Sequence, residues 1–260
     1  MSELLSEKRI LITGAAAGIG LGIARACVNE GASLVVSDIG LERVADATRN
    51  LTDDPSRIQA VALDVSRQES VREFFASAGS TVGRIDGVVN NAGLTLDGDF
   101  LEFPEEDLER LWSTNLRSVF LVCQQAARLM KEQGGGAIVN IASNHAAAGI
   151  PGYEMYAATK GGVAAMTRAM CWSLGKHGIR VNTLSPGLTH TETVAGMVEA
   201  RPDLAAGFAA MHASGRYATV DEIGATAAFL LSDRASAIYG AEIVADHGLS
   251  ALLCRSEDIK

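Results

Sequence analysis

The chain has 260 residues, 48% of them hydrophobic and 20% charged, which is the profile of a soluble globular protein and not of a disordered one. Lysine and arginine number 22 against 31 aspartates and glutamates, and a net charge of −9 without any basic run argues against nucleic acid as the main partner. Four scattered cysteines, Cys27, Cys123, Cys171 and Cys254, make no C-x-x-C pair, and five histidines show no ligand spacing, so buried thiols in a reducing, cytoplasmic setting are expected, with no metal.

Lys8-Arg9 followed by the apolar stretch 10–24 has the outline of a secretory leader. Gly14, Gly18, Gly20 and Gly22 interrupt it, and it falls short of the ~18 apolar residues of a membrane span. A strand at 10–13, a glycine turn and a helix at 18–30 fit it better. Further β-branched runs predict strands at 34–37, 58–63, 87–89, 137–142, 179–184 and 241–245. Between them, apolar spacing and Gly or Pro stops predict helices at 41–51, 67–78, 105–132, 154–176 and 219–231. Strands alternating with helices require crossover connections, hence an α/β fold. About seven parallel strands would form a doubly wound sheet with helices on both faces, in three layers. One domain is expected over 1–260. Residues 191–214 have helical stretches without a strand partner and read as a lid over the sheet's carboxyl edge, and 249–260 read as a C-terminal tail.

The segment Thr13-Gly14-Ala15-Ala16-Ala17-Gly18-Ile19-Gly20 joins the first strand to the first helix. Glycines there let the backbone approach a pyrophosphate, and the helix supplies free N–H groups and partial positive charge. Asp38 ends the second strand 18 residues after Gly20, where a Rossmann-type fold places the acid that grips the adenosine ribose. A carboxylate accepts from two ribose hydroxyls and repels a 2′-phosphate, and Ala17 and Ile39 offer that phosphate no cation. NAD(H) is therefore expected over NADP(H).

These motifs, with Asp64-Val65, Asn90-Asn91-Ala92-Gly93, Asn115, Ser143, Tyr156-Ala157-Ala158-Thr159-Lys160 and Pro186-Gly187 with Thr191, come in an order and spacing that resembles the short-chain dehydrogenase/reductases. The likeness runs from residue 9 to about 248. One departure is Asp246-His247-Gly248, where relatives often carry Asp-Gly-Gly. The resemblance implies cofactor contacts from Gly14, Ala17, Gly18, Ile19, Gly20, Asp38, Ile39, Asp64, Val65, Asn91, Ala92, Gly93, Tyr156, Lys160, Pro186, Gly187, Thr189 and Thr191. In it, Asp64 and Val65 meet the adenine, the 90–93 turn supports the sheet, and Thr191 holds the nicotinamide carboxamide.

Tyr156 and Lys160 are i and i+4 on one helix and share a face. An ammonium beside a phenol favours the phenolate, which suits Tyr156 to exchange a proton with an alcohol or carbonyl. Ser143 ends the preceding strand at the carboxyl edge and can hydrogen-bond the substrate oxygen. By resemblance Lys160 also binds the nicotinamide ribose and Asn115 holds a water that links Lys160 to solvent. Asn144, His145, Ile150 and Tyr153, between Ser143 and Tyr156, are expected to line the substrate pocket, with His190 facing it from beyond Pro186-Gly187. Asn and His suit a sugar, polyol or hydroxy ketone, whereas the alanines at 146–148 suit something apolar. The expected activity is NAD-dependent oxidation of a secondary alcohol or reduction of a ketone, with a 3-oxoacyl reductase or a non-catalytic NAD-binding regulator as alternatives. The small-residue face Ala158, Gly162, Ala165, Ala169 and Trp172 predicts self-association, and the resemblance favours a homotetramer. No membrane partner is expected.

Overall fold

The computed structural model describes residues 3–81 and 83–252. Chain order runs β1 (Arg9–Thr13), α1 (Gly18–Asn29), β2 (Ser33–Asp38), α2 (Leu41–Thr48), β3 (Ile58–Ala62), α3 (Gln68–Thr81) and β4 (Gly87–Asn90). The second half carries α4 (Glu105–Leu111), α5 (Ser118–Glu132), β5 (Gly136–Ile141), α6 (Glu154–Gly175), β6 (Ile179–Pro186), β7 (Thr189–His190), α7 (Glu192–Ala200), α8 (Asp203–Ala210), β8 (Ala218–Thr219), α9 (Val220–Leu231) and β9 (Glu242–Ala245).

Seven strands pair in parallel in the order β3-β2-β1-β4-β5-β6-β9. Register is set by side chains that alternate between two buried faces. On β1, Ile10 and Ile12 face α1 and α9 and pack with Ile23, Ala24, Cys27, Ile223 and Leu230. Leu11 faces the other way, into the layer of Val88, Ile138, Val122, Met130 and Val163 from β4, β5, α5 and α6. The leader-like segment is therefore an inner strand of the sheet, its turn and the first helix. Burial pushes the thiols of Cys27 and Cys123 up to about 12, so both are inert side chains of the core. Cys254 lies outside the described residues, as does the tail beyond 252. Among the described residues no helix is long and apolar enough to cross a membrane.

Two expectations change. The helix expected over 105–132 is interrupted by a π turn at Trp112–Arg117, where the Ser118 N–H reaches back to the Ser113 carbonyl. The lid is not without strands at its base: β7 and β8 bracket it as a two-stranded parallel pair, with Thr189 opposite Ala218 and His190 opposite Thr219. His247, at the family departure, takes a left-handed φ of 53°. Its ring bonds Ser214 Oγ at 2.7 Å and lies 3.3 Å from Glu222, which ties the turn after β9 to the end of the lid segment and to α9.

Candidate active site

The sheet order reverses between β1 and β4, and the crevice at such a point is where open parallel sheets receive ligands. The glycine turn after β1 opens onto it. Gly14 has φ 65°, and a Cβ there would fall 2.8 Å from Ala92 Cα. A Cβ on Gly20 would fall 2.1 Å from the Gly14 carbonyl oxygen, so only glycine lets α1 start this close to its own turn. The 90–93 turn clamps this loop from β4. Asn91 Nδ2 donates to the carbonyls of Thr13 and Gly14 at 3.0 and 2.9 Å, and Thr13 Oγ1 accepts from the N–H groups of Asn91 and Ala92.

The resulting cleft, of about 570 Å³, is lined by Gly14, Ala17, Gly18, Ile19, Gly20, Asp38, Ile39, Asp64, Val65, Asn91, Ala92, Gly93 and Thr191. That size lies in the roughly 300–1,000 Å³ range of ordinary ligand clefts. A glycine cradle at a helix amino terminus with a carboxylate at the far end fits a dinucleotide. Asp38 Oδ1 accepts from the Ile39 N–H at 2.9 Å, and Oδ2 lies 3.4 Å from the Ala16 N–H. Arg43, on the first turn of α2, sits 3.9 Å from Asp38 and lines the same cleft. Sequence reading missed it because it looked for a cation only beside the glycine turn and at the strand end.

A smaller cavity, of about 150 Å³, adjoins the cleft and shares Ile19, Asn91, Gly93, Leu94 and Thr95 with it. Ile141, Ala142, Ser143, Tyr156, Lys160, Pro186 and Gly187 complete its wall. Lys160 is buried, with Nζ donating to the Ile141 carbonyl at 3.0 Å and standing 5.7 Å from the Tyr156 ring centre. Ser143 Oγ donates to Asn144 Oδ1 and accepts from the His145 N–H, both at 3.3 Å. A buried ladder ties β4 and β5 to the helix that carries Tyr156: Asn90 Nδ2 donates to Asn140 Oδ1 at 2.8 Å, and Asn140 Nδ2 to Thr167 Oγ1 at 2.9 Å.

Asn115 falls in the π turn and is buried, which the sequence did not suggest. Its Oδ1 accepts from the Leu94 N–H at 2.9 Å, and its Nδ2 donates to the Leu94 carbonyl at 2.8 Å and to Thr159 Oγ1 at 3.4 Å. The side-chain amide therefore staples the end of the 90–94 turn to α6. Thr189 is buried, bonds the Gly187 carbonyl at 3.0 Å, and lines neither cavity.

The expected substrate residues divide. His145, Tyr153 and Tyr156 form an aromatic cluster with ring centres 5.2–6.4 Å apart. Burial lowers the pKa of His145, which favours its neutral form, and burial followed by the charge of Asp97 raises that of the Tyr153 phenol. Asn144 is buried and turned onto Ser143. Ile150 is exposed. His190 stacks on Tyr217 at 5.8 Å and 16°, and, like Asn144, His145, Ile150 and Tyr153, it is not among the residues that line the two cavities. Thr95, Glu192 and Thr193 line the dinucleotide cleft or its neighbour without having been expected there.

A family model described as enoyl-(acyl carrier protein) reductase matches residues 14–250. A gluconate 5-dehydrogenase of Gluconobacter oxydans is 34% identical over 249 residues, 96% of this chain and 97% of its own. The chain belongs to the short-chain dehydrogenase/reductase family. A D-threitol dehydrogenase of Mycolicibacterium smegmatis is 36% identical over 94% of this chain and 93% of its own, and a 3-oxoacyl-(acyl-carrier-protein) reductase of Thermotoga maritima 35% over 94% and 98%. Among solved structures, a gluconate 5-dehydrogenase of Burkholderia cenocepacia in complex with NADP and tartrate superposes with a TM-score of 0.91 at 33% identity, covering 97% of this chain and 98% of its own. Short-chain dehydrogenase/reductases are oxidoreductases that act on hydroxyl and keto groups with a nicotinamide cofactor, and this chain is one of them.

Proposed function

We propose that the protein is an NAD-dependent dehydrogenase of a secondary alcohol, working on an uncharged polyol, sugar or hydroxy ketone. One observation carries the reading: Ser143, Tyr156 and Lys160 share the wall of a cavity that adjoins a cleft ending at Asp38. NAD would lie along Gly14, Gly18, Asp38, Asn91 and Thr191 and, when bound, supplies the acceptor for a hydride. Tyr156 Oη takes the hydroxyl proton of the alcohol, or returns it to the carbonyl in reverse. The buried ammonium of Lys160 stabilises the phenolate that accepts this proton and that re-forms when the proton is returned. Ser143 Oγ exchanges its long bond to Asn144 for one to the substrate oxygen. Asn115 positions the Leu94 end of the wall, and the 191–214 lid shields the site from water.

Substrate charge follows from the wall of the inner cavity. Lys160 is the one charged side chain among its lining residues and already bonds a carbonyl, while Asp97 acts on Tyr153 at the rim. A substrate carboxylate would meet no cation there besides Lys160, which serves Tyr156. The deciding experiment follows NADH formation across matched neutral and acidic substrates, such as tetritols against aldonic acids. Turnover confined to the acids would reject the charge argument, and no turnover of any alcohol would reject the activity. A 3-oxoacyl reductase is the second reading, supported by the 35% identical relative. It would show as NADPH-dependent reduction of 3-oxoacyl thioesters in the same panel.

For assembly we propose a homotetramer built on α5 and α6. Phe120 and Trp172 are exposed, and a groove of about 370 Å³ between the two helices is lined by Phe120, Ala127, Met170 and Leu174.

A further inference from the structure

The cradle that would receive the cofactor's phosphates already has a carboxylate in it. The backbone N–H of Gly18, the first residue of α1, donates to Glu192 Oε2 at 3.1 Å. Glu192 is the first residue of the lid helix α7, which Thr191 caps by accepting from the Val194 N–H at 3.3 Å. The lid rests on the cradle at a second point, since a Cβ on Gly18 would fall 3.4 Å from Thr191 Cγ2. Thr191, Glu192 and Thr193 together wall the dinucleotide cleft. A helix amino terminus favours an anion, and a carboxylate and a phosphate oxygen ask for the same donor. One N–H cannot serve both well, and two anions side by side repel.

We infer that Glu192 competes with the cofactor's pyrophosphate for the amino terminus of α1, so that the lid helix holds the cradle until a dinucleotide displaces it. The inference rests on the reading of the cleft as a dinucleotide site. It makes Glu192 an affinity-setting residue and couples cofactor entry to movement of α7. The energy of the contact is returned as weaker binding, which speeds cofactor exchange after each turnover.

The test is calorimetric titration of NADH, ADP-ribose and adenosine into the wild type, Glu192→Ala and Glu192→Gln. Glutamine keeps the shape and removes the charge, which guards against a packing change in the alanine variant. Both variants are expected to bind NADH and ADP-ribose more tightly, roughly three- to ten-fold for alanine, the range of a carboxylate at a helix terminus plus relief of repulsion. Adenosine carries no phosphate and should bind all three proteins alike. Unchanged or weaker NADH affinity in both variants overturns the inference and leaves Glu192 as a residue that stabilises α7. An equal gain for adenosine also overturns it, because the cleft would merely have loosened. A wild type that binds no NADH rejects the dinucleotide reading together with the inference, whereas a wild type that binds NADH with no gain in the variants rejects the inference alone.

Discussion

On the proposed reading, Asp38 is the side chain that would rank two cofactors. Its oxygens are held by the N–H groups of Ile39 and Ala16 and Asp38 lines the cleft, so a ribose with two free hydroxyls would gain charge-assisted bonds. A 2′-phosphate would lose them and meet repulsion, offset in part by Arg43 at 3.9 Å. NAD is expected to bind at least ten-fold tighter than NADP, a difference above ~1.4 kcal/mol. Asp38→Ala should shrink that ratio, and Arg43 then becomes a phosphate partner. Dissociation constants by titration decide it; equal values in the wild type would reject the assignment. For Tyr156→Phe, cofactor affinity should hold while turnover falls by several orders of magnitude, because the phenol oxygen that exchanges the substrate proton is gone. Near-normal kcat would assign the proton to another residue. Asp38 and Tyr156 were legible because strand ends and i, i+4 pairs are local features. Arg43 was not, because α2 has to fold back over the strand end before its first turn faces the cleft.

At the scale of elements, two local devices fasten the site. The π turn at 112–117 adds a residue's width to the helix and puts Asn115 where its amide can pair with Leu94. An unbroken helix was the natural reading of 105–132, since hydrophobic spacing alone does not reveal a widened turn. The second device is the capping box of α9, in which Thr219 and Glu222 bond reciprocally. The Arg216 guanidinium, and after it the Thr219 N–H, hold the Glu222 carboxyl well below the usual carboxylate range. A carboxyl whose folded value is depressed stabilises fully above its unfolded value, about 4.3, and loses that contribution as pH falls towards the folded one. Glu222→Gln should therefore lower the melting temperature at pH 7. Its deficit against the wild type should narrow steadily below about pH 4. A deficit that is the same at pH 7 and pH 3 would show that the charge contributes nothing.

For the whole molecule, the exposed residues of α6 make the case for self-association. Ala158, Ala165, Ala169 and Trp172 are uncovered by this chain, and Trp172 is 86% exposed. Gly162, expected in the same row, is instead half-buried and packs on Leu116, where a Cβ would fall 2.9 Å from Leu116 Cδ2. Small side chains allow a second α6 to approach closely across a two-fold axis. Light scattering at micromolar concentration should give a tetramer, and Ala165→Arg should dissociate it by placing a charge in the contact. A monomeric wild type would refute this.

The amino-acid sequence by itself determined the alternation of strands and helices, the glycine cradle, the acid at the end of β2 and the pairing of Tyr156 with Lys160. Each is written within one turn, one strand or one β-α-β unit, where short-range sterics and burial decide the outcome. Tertiary structure alone decided that Asn115 staples Leu94, that His190 stacks on Tyr217, and that Glu192 reaches Gly18 across 174 positions of chain. These depend on which polar groups meet once the sheet is formed and its helices are packed. Hydrophobic periodicity carries no information about such meetings, because a polar side chain takes whichever donor or acceptor the finished fold leaves unpaired.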